Sequence, residues 1–178
     1  MLPSAARIRE VGPRDGLQNE PETVATADKV AWIDRLALTG LRRIEVTSFV
    51  RGDVIAQLSD AREVLTSIDV PAGVSRSVLV PNSRGLDHAL ELRERFEEVA
   101  VFLSASETHN LRNVNRSVAA SLDSLGRVIA RARAASKNAP TCSGLAMPVV
   151  SPKAISCTPQ STSRAAISST RSRGTAPS

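Results

Sequence analysis

Three polar side chains of unlike chemistry stand together in the run EVGPRDGLQNE, Glu10 to Glu20: a guanidinium at Arg14, a carboxylate at Asp15 and an amide at Gln18. Carboxylate oxygen suits a hard cation, and a fixed guanidinium beside it suits developing negative charge. The same run reads as a turn, because Pro13 fixes φ and Gly16 tolerates φ > 0 where a chain leaves a strand and reverses. As neighbours, Arg14 and Asp15 fit a surface pair as well as a site. A second carboxylate, Glu45, lies inside the apolar run IEVTSF, where burial is costly unless the group is paired or metal-bound. Period-two alternation puts Glu45, Thr47 and Phe49 on one face and Val46 and Ser48 on the other. Asn82 follows Pro81 and fits the start of a turn, and Ser104 and Ser106, next to Glu107, fit helix caps. His88 reads as mid-helix, on a solvent or interface face. His109 reads as a loop residue within reach of a ligand, but a lone histidine is seldom a metal site.

Positioning those groups requires a scaffold, and the chain from Arg7 to about Ala139 alternates β-branched runs with amphipathic stretches. RIREVG (7–12) reads as a strand, and Val30, Ile33, Leu36 and Ala37 then recur at helical spacing up to a stop at Gly40. LRRIEVTSF (41–49) is a second strand, followed by a helix in DVIAQLSDAREVLTSI with Ile55, Leu58, Ala61, Val64 and Leu65 on its apolar face. GVSRSVLVPN and the stretch 83–96 make a third pair; EEVAVFLSAS and VNRSVAASLDSLGRVIARARAAS make a fourth. Four βα repeats predict a parallel sheet. Four units in about 140 residues is the pace of a (β/α)8 TIM barrel half built, and no glycine-rich nucleotide fingerprint follows the first strand to favour a doubly wound sheet. Barrel sites form at the C-terminal ends of strands, where Arg14, Asp15, Gln18, Glu45, Asn82, Ser104, Ser106 and Glu107 all fall.

Composition narrows the rest. The 178 residues suit one domain, 1–139. From Pro140 the sequence turns rich in Ser, Thr, Pro and Arg without period, which reads as an irregular, disordered tail or as out-of-frame translation where a fifth strand is due. The net charge of +5 points to nucleic acid only on its surface. No Asp or Glu follows Asp123, so the excess is the tail's, and with aromatics at 2% and Tyr absent, specific nucleic-acid binding is not expected. No apolar run of about eighteen residues predicts a membrane span, and MLPSAARIRE lacks a secretory apolar core, so a cytoplasmic location is expected. Cys142 and Cys157 carry neither disulfide nor metal spacing.

The runs EVGPRDGLQNE, RRIEVTSFV, VLVPN and SASETHNLRNVNRS together resemble the 3-hydroxy-3-methylglutaryl-CoA lyase family, within the metal-dependent lyase and condensing-enzyme barrels that share an Arg-Asp-Gly loop. Gly12, Pro13, Leu17, Gln18 and Asn19 are those of the lyase branch. The resemblance covers about Arg7 to Ala139. It implies a (β/α)8 barrel, an acyl-CoA substrate, a divalent cation (Mg2+ or Mn2+), and cleavage to acetyl-CoA and acetoacetate. It further implies that Asp15 is a metal ligand, that Arg14 polarises the substrate carbonyl, that Glu45 handles protons near the substrate hydroxyl, and that Gln18 and Asn113 bind substrate. The family's other ligands, a His-x-His pair and an Asn, and its Gly-rich Cys loop are not in this sequence, so cation binding by this chain is expected to be weak and activity alone slight. A non-catalytic half-barrel module that dimerises through its open sheet edge is the alternative.

Overall fold

Strands and helices alternate along residues 5–137, the part of the chain that the computed structural model describes. The strands β1 (Arg43–Ser48), β2 (Ser75–Leu79) and β3 (Glu98–Ala100) form a parallel sheet in the order β1-β2-β3. Helix α1 (Thr26–Ala37) precedes β1, α2 (Ala61–Ser67) joins β1 to β2, and α3 (Ser83–Leu90) joins β2 to β3. Helices α4 (Glu107–Val114) and α5 (Val118–Lys137) follow. The expectations for 140–178, including Cys142 and Cys157, lie outside the described residues.

The predicted first strand shrinks to a single parallel bridge, Glu10 beside Ile44. Two backbone hydrogen bonds make it: Glu10 N–H to Arg43 O at 2.9 Å and Glu45 N–H to Glu10 O at 2.8 Å. Pairing stops there because the next amide, Gly12 N–H, donates to the Glu10 carboxylate at 2.6 Å and Pro13 has no N–H at all.

Alternation within the strands separates two surfaces. Ile44, Val46, Val78, Val80, Val99 and Val101 join Ile33 and Ala37 of α1, Val64 and Leu65 of α2, Leu86 of α3 and Val128 of α5 in one buried cluster. Burying each such side chain fully contributes roughly 1.5–3 kcal/mol, which makes this layer the main source of stability. The opposite surface carries Glu45, Ser77 and Glu98, which stand side by side in register across the three strands and are buried. Barrel interiors are usually filled by branched apolar side chains, so this row departs from the rule.

Several boundaries differ from expectation. The second helix starts at Ala61 rather than near Asp53; Ile55 precedes a separate 3-10 turn, Ala56–Leu58, whose Leu58 is buried. The third ends at Leu90, and a 3-10 turn at Arg93–Arg95 leads to Phe96. ETHNLRNV forms α4 instead of a loop, so His109 lies on a helix and is exposed. Ser106 Oγ accepts from His109 N–H at 3.3 Å to open that helix, and Asn115, with φ of 52°, closes it in the left-handed region. Gly40, with φ of 91°, follows the end of α1 as expected.

Sequence reading passed over Lys29. It is buried on α1, and its Nζ donates to Asp60 Oδ1 at 2.8 Å, Asp60 Oδ2 at 2.9 Å and Gln57 O at 2.6 Å, tying α1 to the start of α2. A buried ammonium is tolerated only with such partners.

Candidate active site

Arg14 and Asp15 sit on a wide turn rather than a chain reversal. Gly12–Gly16 forms one π-helical turn, closed by Leu17 N–H donating to Gly12 O, and the helical path continues through Leu17 and Gln18. Positive φ among the described glycines is confined to Gly40 and Gly73, so Gly16 does not use the conformation expected of it. Pro13, with φ preset, occupies the first turn and is buried. Gly12 sits in a close approach: a Cβ there would lie 2.8 Å from Glu10 Oε1 and 3.1 Å from Trp32 Cη2. A larger residue at Gly12 would thus have to displace the Glu10 carboxylate from the amide it satisfies.

This turn brings Arg14 to Glu45, the third residue of β1. Arg14 Nε donates to Glu45 Oε1 at 2.5 Å, and Arg14 Nη1 donates to Asp15 Oδ1 at 2.5 Å. The Glu45 side chain is 4% exposed and Asp15 45% exposed, so the guanidinium spans from a buried carboxylate to a solvent-facing one. A pair on a buried carboxylate is screened less than an exposed one, and removing either partner leaves a buried charge unopposed. Arg14 and Asp15 are therefore not an isolated surface pair, because Arg14 also holds the buried Glu45.

Strand β1 departs from strict alternation. Glu45 is level with Ser77, yet Thr47 is level with Val78, so β1 spends an extra residue between them. This bulge moves Phe49 out of the face assigned to it with Glu45 and into the apolar cluster with Val46. Thr47 and Ser48 are both buried, and Ser48 Oγ is without a hydrogen-bond partner among the described residues. A buried hydroxyl left unpaired at a strand end is uncommon.

The remaining candidates separate cleanly. Gln18 is half-buried on the turn and Asn113 is exposed on α4; among the described residues neither side chain hydrogen-bonds to Arg14, Asp15 or Glu45. Asn82 Oδ1 accepts from Gly85 N–H at 3.0 Å and caps α3. Ser104 Oγ accepts from Ser106 N–H at 3.3 Å, and Glu107 Oε2 accepts from Val118 N–H at 2.9 Å, which brackets the start of α5. His88 is exposed on α3, its Nδ1 3.8 Å from Glu91 Oε1.

No group of three His, Cys, Asp or Glu side chains placed to hold a metal ion occurs among the described residues. Asp15 presents a single carboxylate, with one oxygen already taken by Arg14. Hard divalent cations need several oxygen ligands, so the described residues do not by themselves fit such a centre.

Sequence reasoning also missed Arg9 and Glu98. Arg9 Nη2 donates to Glu98 Oε2, and Arg9 Nη1 donates to Ser77 Oγ at 3.1 Å. For Glu98 the signal was weaker than for Glu45: it stands directly before the apolar run VAV, after Glu97, whereas Glu45 lies between Ile44 and Val46. For Arg9 there was none, because a charged residue in a predicted edge strand is ordinary.

Comparison with known proteins places this corner in context. The family described as HMGL-like matches residues 5–170. The hydroxymethylglutaryl-CoA lyase YngG of Bacillus subtilis is 52% identical over 126 residues, 71% of this chain and 42% of its own length. The 3-hydroxy-3-isohexenylglutaryl-CoA/hydroxymethylglutaryl-CoA lyase of Pseudomonas aeruginosa is 43% identical over 132 residues, 74% of this chain and 43% of its own. The crystal structure of the Bacillus subtilis HMG-CoA lyase superposes with a TM-score of 0.73 at 48% identity, covering 82% of this chain and 45% of that one. An HMG-CoA lyase from Acinetobacter baumannii, solved with coenzyme A and 3-methylmalate, superposes with a TM-score of 0.67 at 37% identity, covering 72% and 41%. The chain thus spans less than half the length of these relatives. No described helix is long and apolar enough to cross a membrane. With its parallel βα units and the match of the family over residues 5–170, the chain belongs to the HMGL-like family, whose fold is a TIM barrel.

Proposed function

We propose that this chain carries one corner of a hydroxymethylglutaryl-CoA lyase site, in which 3-hydroxy-3-methylglutaryl-CoA is cleaved to acetyl-CoA and acetoacetate. The observation that carries the reading is the buried Glu45 carboxylate clamping Arg14 beside Asp15. In the cleavage the C3 hydroxyl loses its proton, its oxygen becomes the ketone of acetoacetate, and the C2–C3 electron pair passes to the thioester as an enolate, which is then protonated to acetyl-CoA. Arg14 is the group that stabilises this enolate. Its Nε and Nη1 are engaged, while Nη2 has no partner among the described residues and is the donor offered to the thioester oxygen. Glu45 holds and moves protons near the C3 hydroxyl, and Gln18 and Asn113 bind substrate. Asp15 is the one oxygen ligand that this segment offers toward a divalent cation, Mg2+ or Mn2+; no step here runs through that ion. The working unit is 1–139, and the protein acts in the cytoplasm.

The test is a chimera in which residues 5–137 replace the matching segment of the Bacillus subtilis lyase. Acetoacetate release is expected, and Arg14→Gln is expected to lower it by about a hundredfold or more, the cost of removing a donor to a developing oxyanion. A folded chimera without activity, or one indifferent to Arg14→Gln, overturns the reading. A second reading, a half-barrel that associates with a copy of itself, is favoured by Phe102, Leu111, Val114 and Leu122, all exposed on the segment that follows β3. Sedimentation of the chain alone is then expected to show concentration-dependent dimers; a folded monomer at every concentration counts against it.

A further inference from the structure

Beneath the corner lies a charged row to which the lyase reading assigns no role. Glu45 Oε1 belongs to Arg14, but Glu45 Oε2 faces Arg9 Nη1 at 3.8 Å. Arg9 is itself held at two points, by Ser77 Oγ and by Glu98 Oε2. Glu98 is held in turn: its Oε1 accepts from Ser75 Oγ at 3.1 Å and lies 3.4 Å from Arg43 Nη1. Ser77 Oγ donates onward to Ile44 O at 3.3 Å, anchoring the row to the β1 backbone.

We propose that Arg9, locked by Glu98 and Ser77, is a positioning residue that sets the orientation of the Glu45 carboxylate and through it holds Arg14 in place. This rests on the lyase reading of the Arg14–Glu45 corner. Three observations carry it. Glu45, Ser77 and Glu98 are level across the sheet, so their side chains share one face and Arg9 lies over that row. Two strand spacings, from β1 across β2 to β3, set the backbones of the two glutamates only about 9.6 Å apart. With both side chains 4% exposed, they repel each other unless a cation stands between them. Arg9 is that cation, and its planar fork meets Glu98 and Ser77 at once while turning one edge toward Glu45. The charges also balance: Arg9, Arg14 and Arg43 oppose Asp15, Glu45 and Glu98. A row that only filled space would be better made of branched apolar side chains, as barrel interiors generally are.

The consequence is directional. Arg14 donates through Nε to a single oxygen, so a small rotation of the Glu45 carboxylate breaks the bond. Without Arg9, Glu45 Oε2 has no cation on its side and the carboxylate is free to turn.

The Arg14 Nε–H proton reports this by NMR on the full chain, with Arg14→Lys identifying its signal. Exchange of that proton with solvent is expected to speed up about tenfold in Arg9→Met and in Glu98→Gln, and about threefold in Ser77→Ala, within the range of couplings inside one charged network. Val99→Ala, on the apolar face, serves as a control that lowers stability without touching the row, and is expected to leave the exchange unchanged. Exchange within about twofold of the original chain in Ser77→Ala, the mildest variant, or an equal change in Val99→Ala, overturns the proposal. Because the readout needs no turnover, an inactive chimera refutes the lyase reading and leaves this result to stand, while unaltered exchange refutes only the positioning role.

Discussion

The two faces of the β1-β2-β3 sheet are built from alternate residues of the same strands and obey opposite chemistry. Toward the helices stand Ile44, Val46, Val78, Val80, Val99 and Val101, interchangeable in kind and insensitive to orientation. On the other face Glu45, Ser77 and Glu98 are held by Arg9, Arg14 and Arg43 at defined atoms. Apolar burial is non-directional and scales with area, whereas a buried ion pair repays its desolvation only when geometry is good and every remaining donor is satisfied. One face therefore supplies stability and the other supplies shape. The fold tolerates the second because the first is complete.

Substitutions that treat one face as if it were the other break this comparison. The largest effect is expected from Glu45→Ala, which leaves Arg14 with Asp15 alone and Arg9 with Glu98 alone; a loss of at most about 3–5 kcal/mol, the cost of breaking a buried pair outright, is expected from urea unfolding. A smaller change of opposite sign is expected when the pattern is replaced whole. Arg9→Met, Glu45→Leu and Glu98→Leu together convert the charged row to apolar packing, and stability is expected to stay level or rise by about 1–4 kcal/mol. The same three changes carried in the lyase chimera are expected to abolish acetoacetate release. A stable and active triple variant would erase the distinction between the faces; a triple variant as unstable as Glu45→Ala would show that the charged face also supplies stability.

How much of this was visible in sequence depended on the kind of signal. Alternation in IEV, SVLV and EVAV marked the helix-facing layer, and Ile33 and Ala37 on α1 followed from helical spacing, because apolar periodicity is a local property. Phe49 was misplaced because a bulge leaves no mark in a run as short as VTSF. Helix α4 was missed because its residues are polar; Ser106 as a cap was read correctly, but Asn110 was not. Buried, Asn110 joins α4 to α5 by donating to Arg116 O at 2.8 Å and Ser121 Oγ at 2.7 Å, a link no local pattern announces. At the site, Arg14, Asp15 and Glu45 were legible as types, and the pairing of Arg14 with Glu45 was not, since thirty-one positions separate them. Arg9 and Glu98 stand 89 positions apart and meet only because parallel strands bring them level.

The single bridge at Glu10 gives this corner two different lifetimes. Arg14 and Asp15 ride on a segment tied to the sheet by two backbone hydrogen bonds, while Glu45 sits in a strand paired along its length with β2. Short edges of that kind open at a fraction of the free energy needed to unfold the layer behind them. A ligand touching both Arg14 and Glu45 therefore staples the edge to the sheet, and by linkage whatever secures the edge strengthens that ligand's hold by the same factor.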